Sequence, residues 1–362
     1  MIVFDAEPLR KPYMGFYTFV SNLGEALAQE ARRRGVKMGF YVPEDKVGVF
    51  GDDMEYFIFH RSDKKGLVFP ENVTLFHSSR QRSHYVPKKS EALKVLTTVH
   101  DLNYLYSKEW WKHIKYQFFY QRSINKADRL VAISEFARKD TLTHLNIKGK
   151  KIDVIYNGVY EQGTPAKPAF VPQHKYLYSV ATVLPKKNFH VLPCLLQGND
   201  YDLVISGKND RKSYIRKIMK EAEKYGVQDR IFIPGPCSEA EKTWYIQNCE
   251  AFLFPSISEG FGIPPMEAML FGKPVFLSDH TCLPEIAGQS AWYFNHSFDR
   301  EKMQEEFQKG MREYALANEN GANPCNPKNK AGIMARAKSF DWADAAKKYF
   351  DVYSEMLSGN LR

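Results

Sequence analysis

The segment Pro255-Ser256-Ile257-Ser258-Glu259-Gly260-Phe261-Gly262-Ile263-Pro264-Pro265-Met266-Glu267-Ala268 sets two carboxylates on either side of a glycine-containing turn. An apolar run ends at Pro255, and proline at Pro264 suits the first turn of a helix. The turn between them can present N–H groups with no Cβ in the way. The helix start adds unpaired N–H donors and partial positive charge, which together would hold a phosphate. Glu267 sits about one turn into that helix, within reach of a neighbouring diol, and a carboxylate accepts hydroxyl hydrogen bonds readily. Acceptor, donors and acceptor is the order in which a nucleotide sugar presents hydroxyl, diphosphate and hydroxyl. The same residues also fit an ordinary strand–turn–helix carrying two surface glutamates.

Positioning such a segment requires a parallel α/β framework, and the chain alternates accordingly. In the first half, strands are expected near Ile2–Phe4, Val36–Tyr41, Val73–Phe76, Val95–Val99, Leu130–Ile133 and Ile152–Ile155. Helices are expected near Phe16–Arg34, Glu109–Lys126 and Ser134–Leu145, with Ser134 as an N-cap. From Val159 to Lys175 the periodicity stops amid Gly163, Pro165, Pro168 and Pro172, which reads as a linker. Alternation restarts with strand Tyr176–Ala181, helix Phe189–Leu196, strand Asp202–Ser206, helix Ser213–Tyr225 and strand Ile231–Ile233. It continues through helix Glu239–Asn248, strand Ala251–Phe254, helix Met266–Phe271 and strands Pro274–Leu277 and Ala291–Phe294. A helix-rich tail ends with Trp342–Leu357. This gives domains over 1–165 and 166–340, followed by a C-terminal helix over 341–362. Two doubly wound domains would bind ligands at the carboxyl ends of their strands.

Composition narrows the classes. The 362 residues suit two domains rather than one core. With 44% hydrophobic and 26% charged residues the chain is globular, and no apolar run approaches a membrane span. The N-terminus lacks the features of a secretory signal. Five scattered cysteines form no C-x-x-C pair, which suits a reducing, cytoplasmic setting. The net charge of +9 is concentrated in residues 1–165, where 26 basic residues face 19 acidic ones. That suggests an anionic partner, whether phosphorylated substrate, membrane surface or nucleic acid; ordinary solvated lysines would account for it equally. The acid–x–acid run Asp200-Tyr201-Asp202 introduces a strand and reads as a turn, so no metal is expected there.

The Glu259-to-Glu267 segment, SISEGFGIPPMEAMLFGKPV, resembles the E-x7-E signature of the retaining GT-B glycosyltransferases of group 1, also called GT4. Segments VIYNGV (154–159), LPKKN (184–188), VISGK (204–208) and LPEIAG (283–288) agree with it. So do TVHDL (98–102), ADRLVAISEFARKD (127–140) and the glycine of MGFYTF (14–19). The likeness is strong over 176–290 and thinner before residue 95. It implies a GT-B fold, with two Rossmann-like domains facing a central cleft and the last helix crossing back to the first domain. It also implies a donor nucleotide on the second domain and an acceptor on the first. Glu267 would bind the ribose diol and Glu259 a hydroxyl of the transferred sugar. Phe261 and Gly262 would offer N–H groups, and Lys187 would neutralise the diphosphate. Gly207 and Thr182 complete the donor set. His100 would face the sugar near the reacting carbon, and Gly15 would let the first helix come close to diphosphate or acceptor. Thr182 departs from the arginine that many members carry five residues before the lysine. Loss of that contact could weaken donor binding by roughly 1.5–3 kcal/mol unless Lys186 or Lys208 substitutes. Threonine there resembles some mannosyltransferases and tilts the expected donor toward GDP-mannose.

The expected reaction is therefore transfer of a hexose to a hydroxyl of a glycan or lipid-diphosphate-linked acceptor, in surface polysaccharide or lipopolysaccharide synthesis. His100, Lys187 and Glu259 are the expected catalytic residues. No cofactor or metal is expected beyond the nucleotide-sugar co-substrate, and no nucleic acid. Basic clusters at Arg32-Arg33-Arg34, Arg80 with Arg82, Lys88-Lys89 and Lys148 with Lys150-Lys151 add a membrane possibility. So does the helix carrying Trp110, Trp111, Phe118, Phe119 and Tyr120 beside Lys112, Lys115 and Arg122. A core helix with a wet cationic face is the alternative. The protein is thus expected in the cytoplasm, with contact to the inner face of the plasma membrane left open. A nucleotide-sugar epimerase of the same fold, or a basic membrane-surface protein without turnover, are the competing classes.

Overall fold

The computed structural model describes residues 1–11, 15–88, 91–106, 110–160, 163–319, 323 and 325–358, with backbone alone for 110–112. The chain forms two units, one of residues 1–158 with 340–362 and one of residues 159–339.

The first unit runs β1 (Ile2–Asp5), α1 (Gly15–Arg34), β2 (Met38–Val42), β3 (Glu55–Ile58), β4 (Leu75–Ser78) and β5 (Lys94–Val99). It continues with α2 (Trp110–Lys126), β6 (Arg129–Ala132), α3 (Glu135–His144) and β7 (Ile152–Val154). The expected helix start at Glu109 and residues Met14 and Lys89 of the quoted segments lie outside the described residues. Among the described residues the unit's seven strands are all parallel, in the order β3-β2-β1-β4-β5-β6-β7. Strands buried on both faces are written as continuous apolar runs, as in Ile2-Val3-Phe4. Edge strand β3, whose two central residues are only half-buried, has no counterpart in the sequence reading although Tyr56-Phe57-Ile58-Phe59 is a continuous apolar run. In α1, buried Phe19, Val20, Leu23, Leu27 and Ala31 recur at helical spacing and form its inner stripe. Ser134 caps α3, its Oγ accepting from the Ala137 N–H.

The second unit contains β8 (Tyr176–Val180), β9 (Asp202–Ser206), α4 (Lys212–Lys224), β10 (Ile231–Gly235), α5 (Glu239–Asn248) and β11 (Ala251–Phe254). Next come α6 (Ile263–Leu270), β12 (Val275–Ser278), α7 (Leu283–Ala287), β13 (Trp292–Phe294), α8 (Arg300–Ala317) and α9 (Lys330–Lys338). Its six parallel strands run β10-β9-β8-β11-β12-β13. The helix expected at Phe189–Leu196 is a 3-10 helix, because Pro193 inside it removes an N–H and clashes with α-helical continuation. Tail helices α8 and α9 were expected only in outline.

The final helix, α10 (Trp342–Leu357), belongs to the first unit. Its buried face presents Trp342, Ala345, Ala346, Tyr349, Phe350 and Tyr353. Buried His77 of β4 bonds through Nδ1 to the Tyr353 hydroxyl at 2.7 Å and through Nε2 to Thr98 Oγ1 of β5 at 2.7 Å. Thr98 Oγ1 in turn lies 3.2 Å from the Tyr349 hydroxyl. Burial pushes the His77 imidazolium pKa down to about 3, so the ring is neutral and each nitrogen has one hydroxyl partner. At the far end of the helix, Glu355 meets the buried Arg129 of β6 at 2.7 Å, and Asp153 of β7 meets the same guanidinium at 2.6 Å.

Candidate functional site

In the second unit the chain leaves β8 toward β9 and β10, then returns to add β11 on the opposite side. The crevice at the carboxyl ends of β8 and β11 is thus a topological switch point, where doubly wound sheets bind ligands. Two loops with complementary charge meet there. After β8, Pro185–Lys187 forms a single 3-10 turn, ended by Asn188 in the left-handed conformation (φ +59) that asparagine tolerates. After β11 comes the glutamate-bearing turn. The backbone ties them: the Ile257 N–H donates to the Lys186 carbonyl at 2.9 Å.

Lys187 Nζ donates to Glu259 Oε1 at 2.5 Å, and the Ser256 hydroxyl donates to the same oxygen. Each charged side chain of this pair keeps 13% of its surface exposed, so the pair is neither sealed nor freely solvated. The Lys187 ammonium also lies 5.0 Å from the centre of the Phe254 ring. Sequence reading gave Lys187 and Glu259 separate tasks; the structure joins them in one ion pair.

Gly262 is the residue before α6, with φ +93, and a Cβ there would stand 2.7 Å from Leu283 Cδ2. No side chain caps this helix. Because Pro264 and Pro265 carry no N–H, the start of α6 itself can contribute only the N–H groups of Gly262 and Ile263, fewer than the four of a generic helix start. Any anion here is therefore held by the turn more than by the helix. Phe261, expected to offer its N–H, lies buried in that turn.

Glu267 is 4% exposed on α6. Its Oε1 accepts from Lys242 Nζ of α5 at 2.8 Å, while its Oε2 is buried with no hydrogen-bond partner among the described residues. Burial works to discharge the Lys242 ammonium, but Glu267 and then Glu239, 2.6 Å away, outweigh it and raise the lysine pKa above its ordinary value. A charged Lys242 thus stands directly against the Glu267 carboxylate. Lys242 was absent from the sequence reading, which has no way to pair residues on two different helices.

Thr182 is half-buried in the loop after β8. Gly207, after β9, has φ +128, and a Cβ on it would lie 2.1 Å from the Ala181 carbonyl oxygen. Glycine is required there because the two loops run backbone against backbone. Lys208, a candidate replacement for the missing arginine, is exposed and paired with Asp210 at 2.9 Å; Lys186 is exposed. Asp202 of the acid–x–acid run is buried and accepts from the His174 N–H at 3.3 Å, a structural tie to the segment before β8.

His100 and Gly15 lie in the first unit and are described within it. His100, following β5, is buried between Phe16 and Phe19, whose rings stand edge-on at 4.8 and 4.4 Å. Its Nε2–H donates to the Ser79 carbonyl at 2.7 Å, and burial lowers its pKa to about 4. The ring is therefore a neutral, fixed group. Gly15, the first residue of α1, is exposed, and a Cβ there would meet nothing within 4 Å. Packing within the protein does not demand glycine at that position.

Two family models match the chain in succession: Glycosyltransferase Family 4 over residues 20–162 and Glycosyl transferases group 1 over residues 162–323. The chain belongs to the group-1 glycosyltransferases. Among relatives of this family member, the serotype-specific mannosyltransferase WbdA of Escherichia coli is 25% identical over 297 residues, covering 76% of this chain and 35% of that protein. The O-antigen chain mannosyltransferase RfbU of Salmonella typhimurium is 27% identical over 202 residues, 55% of this chain and 56% of the relative. The matches thus span less than two thirds of either relative's length. Sucrose-phosphate synthase from Thermosynechococcus elongatus superposes over 99% of both chains with a TM-score of 0.73 at 16% identity. Anabaena HepE in complex with UDP-glucose does so over 98% of this chain and 99% of that one, with a TM-score of 0.69 at 14% identity. These two and the two parallel sheets make the fold GT-B.

Proposed function

We propose that this group-1 glycosyltransferase moves mannose from GDP-mannose, with retained anomeric configuration, to a hydroxyl of a glycan or lipid-diphosphate-linked acceptor in surface polysaccharide or lipopolysaccharide synthesis. The observation that carries the reading is the charged set at the β8–β11 switch point. There, Lys187 pairs with Glu259, and Glu267 keeps one buried carboxylate oxygen without a partner. An unpartnered buried acceptor is costly unless a ligand donates to it, and a ribose hydroxyl suits Glu267 Oε2. The mannosyltransferases among its relatives support the choice of sugar.

On this reading donor binding divides the ion pair. The Lys187 ammonium turns to the diphosphate, where negative charge grows as the glycosyl–phosphate bond breaks. Glu259, still held by Ser256, accepts from a hydroxyl of the transferred sugar. The acceptor's proton goes to the departing phosphate on the same face, so no protein base is needed. His100, neutral and bonded to Ser79 within the first unit, takes no proton. On this reading the positive charge of Lys187 and the turn N–H groups take the place of a metal, and the nucleotide sugar is the co-substrate donating to the acceptor.

The acceptor reading extends to an anionic membrane surface at the cytoplasmic face. Its support lies on α2, which contains Lys112, Lys115, Arg122 and Lys126 and no acidic residue. Ile114 and Phe118, one turn apart, are 67% and 62% exposed. By contrast the Arg32-Arg33-Arg34 cluster is taken up internally by Asp53 and Glu30. Among the described residues no helix is long and apolar enough to cross a membrane.

The test is transfer of labelled sugar from a panel of GDP-, UDP- and ADP-sugars onto a lipid extract. Label should pass from GDP-mannose and resist chelation by EDTA. Transfer from UDP-sugars in preference would refute the donor, and rescue by manganese after EDTA would refute metal independence.

A further inference from the structure

Thr281, in the loop after β12, has φ +57, a left-handed backbone that β-branched residues rarely adopt. Such a conformation persists where the surroundings over-determine it, and it gathers at functional sites. The residue is half-buried, so filling the core does not explain it. Its hydroxyl does two things at once. It donates to the His280 carbonyl at 2.8 Å, which turns its lone pairs outward, and it accepts from the backbone N–H of Glu259 at 3.2 Å. The next residue, Cys282, is fully buried and donates its Sγ–H to the Glu259 carbonyl at 3.3 Å. Glu259 is thereby held at its N–H, at its carbonyl and, through Ser256 and Lys187, at its carboxylate. The loop that clamps its backbone comes from a different strand than its own.

We propose that Thr281 is a positioning residue that fixes Glu259 for the transferred sugar, an inference resting on the reading of Glu259 as the sugar-binding acid. A loop holding Glu259 only for the sake of the fold would gain from glycine at this backbone angle. The hydroxyl, not the backbone, is what threonine adds.

Calorimetric titration of GDP and of GDP-mannose into the full chain separates the cases, with T281G, T281S and E259A beside wild type. T281G keeps the backbone angle and deletes the hydroxyl; T281S keeps both. The account expects GDP affinity within about twofold of wild type in T281G. The ratio of GDP-mannose to GDP affinity should fall about fivefold, the worth of one ordinary hydrogen bond, and T281S should restore it. E259A should lose at least as much of that ratio. A wild-type ratio in T281G while E259A loses it would overturn the positioning role, and so would loss of GDP binding itself in T281G. A wild-type ratio in E259A would instead remove the sugar-binding reading of Glu259, and the role of Thr281 with it.

Discussion

The carboxyl ends of the two parallel sheets hold charged and titratable residues in opposite conditions. In the first unit, Glu7 is 1% exposed and clamped between Arg10 at 2.5 Å and Arg80. Asp5 is fully buried, and burial raises its carboxyl pKa to about 7; His100 and His77 are buried as neutral rings. In the second unit, the Lys187–Glu259 pair stays partly exposed, and Glu267 keeps an oxygen unmatched. The first sheet end seals its charged groups inside the unit, although Asp5 Oδ2, Ser79 Oγ and Arg80 Nε have no partner among the described residues; the second keeps an ion pair open to solvent beside the unmatched Glu267 oxygen. Two sheets of the same doubly wound topology thus differ in whether the loops at their carboxyl ends leave a charged pair within reach of solvent.

The comparison breaks most visibly in acid. His77 and His100 have folded pKa values of about 3 and about 4, below the ordinary histidine value near 6.5. Between those values and about 6.5 the unfolded chain binds protons that the folded chain refuses, so their stabilisation is lost as pH falls. Asp5 has the opposite sign: its raised pKa means that folding takes up a proton between about 4 and about 7, so it favours folding as pH falls. Two histidines against one aspartate leave a net loss of stability as pH falls from 6 to 4, and His190 of the second unit, lowered by burial to about 4, acts in the same direction. Urea melts across that range should show it, and Asp5→Asn should steepen the slope. A flat profile would mean that these groups are not sealed.

Removing a charge from the second sheet end should leave the fold and damage the chemistry. Lys187→Ala takes away the ammonium that faces Glu259, and transfer should fall tenfold or more for one to two lost charge-assisted contacts. Steady-state transfer with thermal melts on the same samples checks it. Equal rates would make the pair structural.

The smallest effects belong to the surface of the first unit. Ile114→Glu and Phe118→Glu touch exposed side chains, so stability should move by no more than about 0.5 kcal/mol. Sedimentation with anionic liposomes at low salt should nonetheless drop for both. Wild-type protein that fails to sediment would remove the membrane contact.

What the sequence made legible follows locality. Helix Glu239–Asn248, strand Ala251–Phe254 and helix Trp342–Leu357 have the bounds expected from periodicity and capping. Strand β3 was passed over although Tyr56–Phe59 is a continuous apolar run, and the 189–196 segment was misjudged because its apolar spacing outweighed Pro193. At the site, Lys187, Glu259 and Glu267 could be named because two short motifs contain them. Ser256, Lys242, Thr281 and Cys282 could not, since each acts only after separate loops or helices have been brought together. Gly15 has open space where a Cβ would stand, so its glycine is not set by packing among the described residues, and no one-dimensional pattern reports that.

The central claim is that the end of the second sheet is a nucleotide-sugar site completed by its donor. Titration of GDP-mannose into wild-type and Glu267→Ala protein, with UDP and ADP as competitors, tests it most directly. The account predicts saturable binding by wild type that GDP competes for and UDP and ADP do not, weakened tenfold or more in Glu267→Ala by loss of charge-assisted contacts. Equal affinity for GDP-mannose in the two proteins would contradict it.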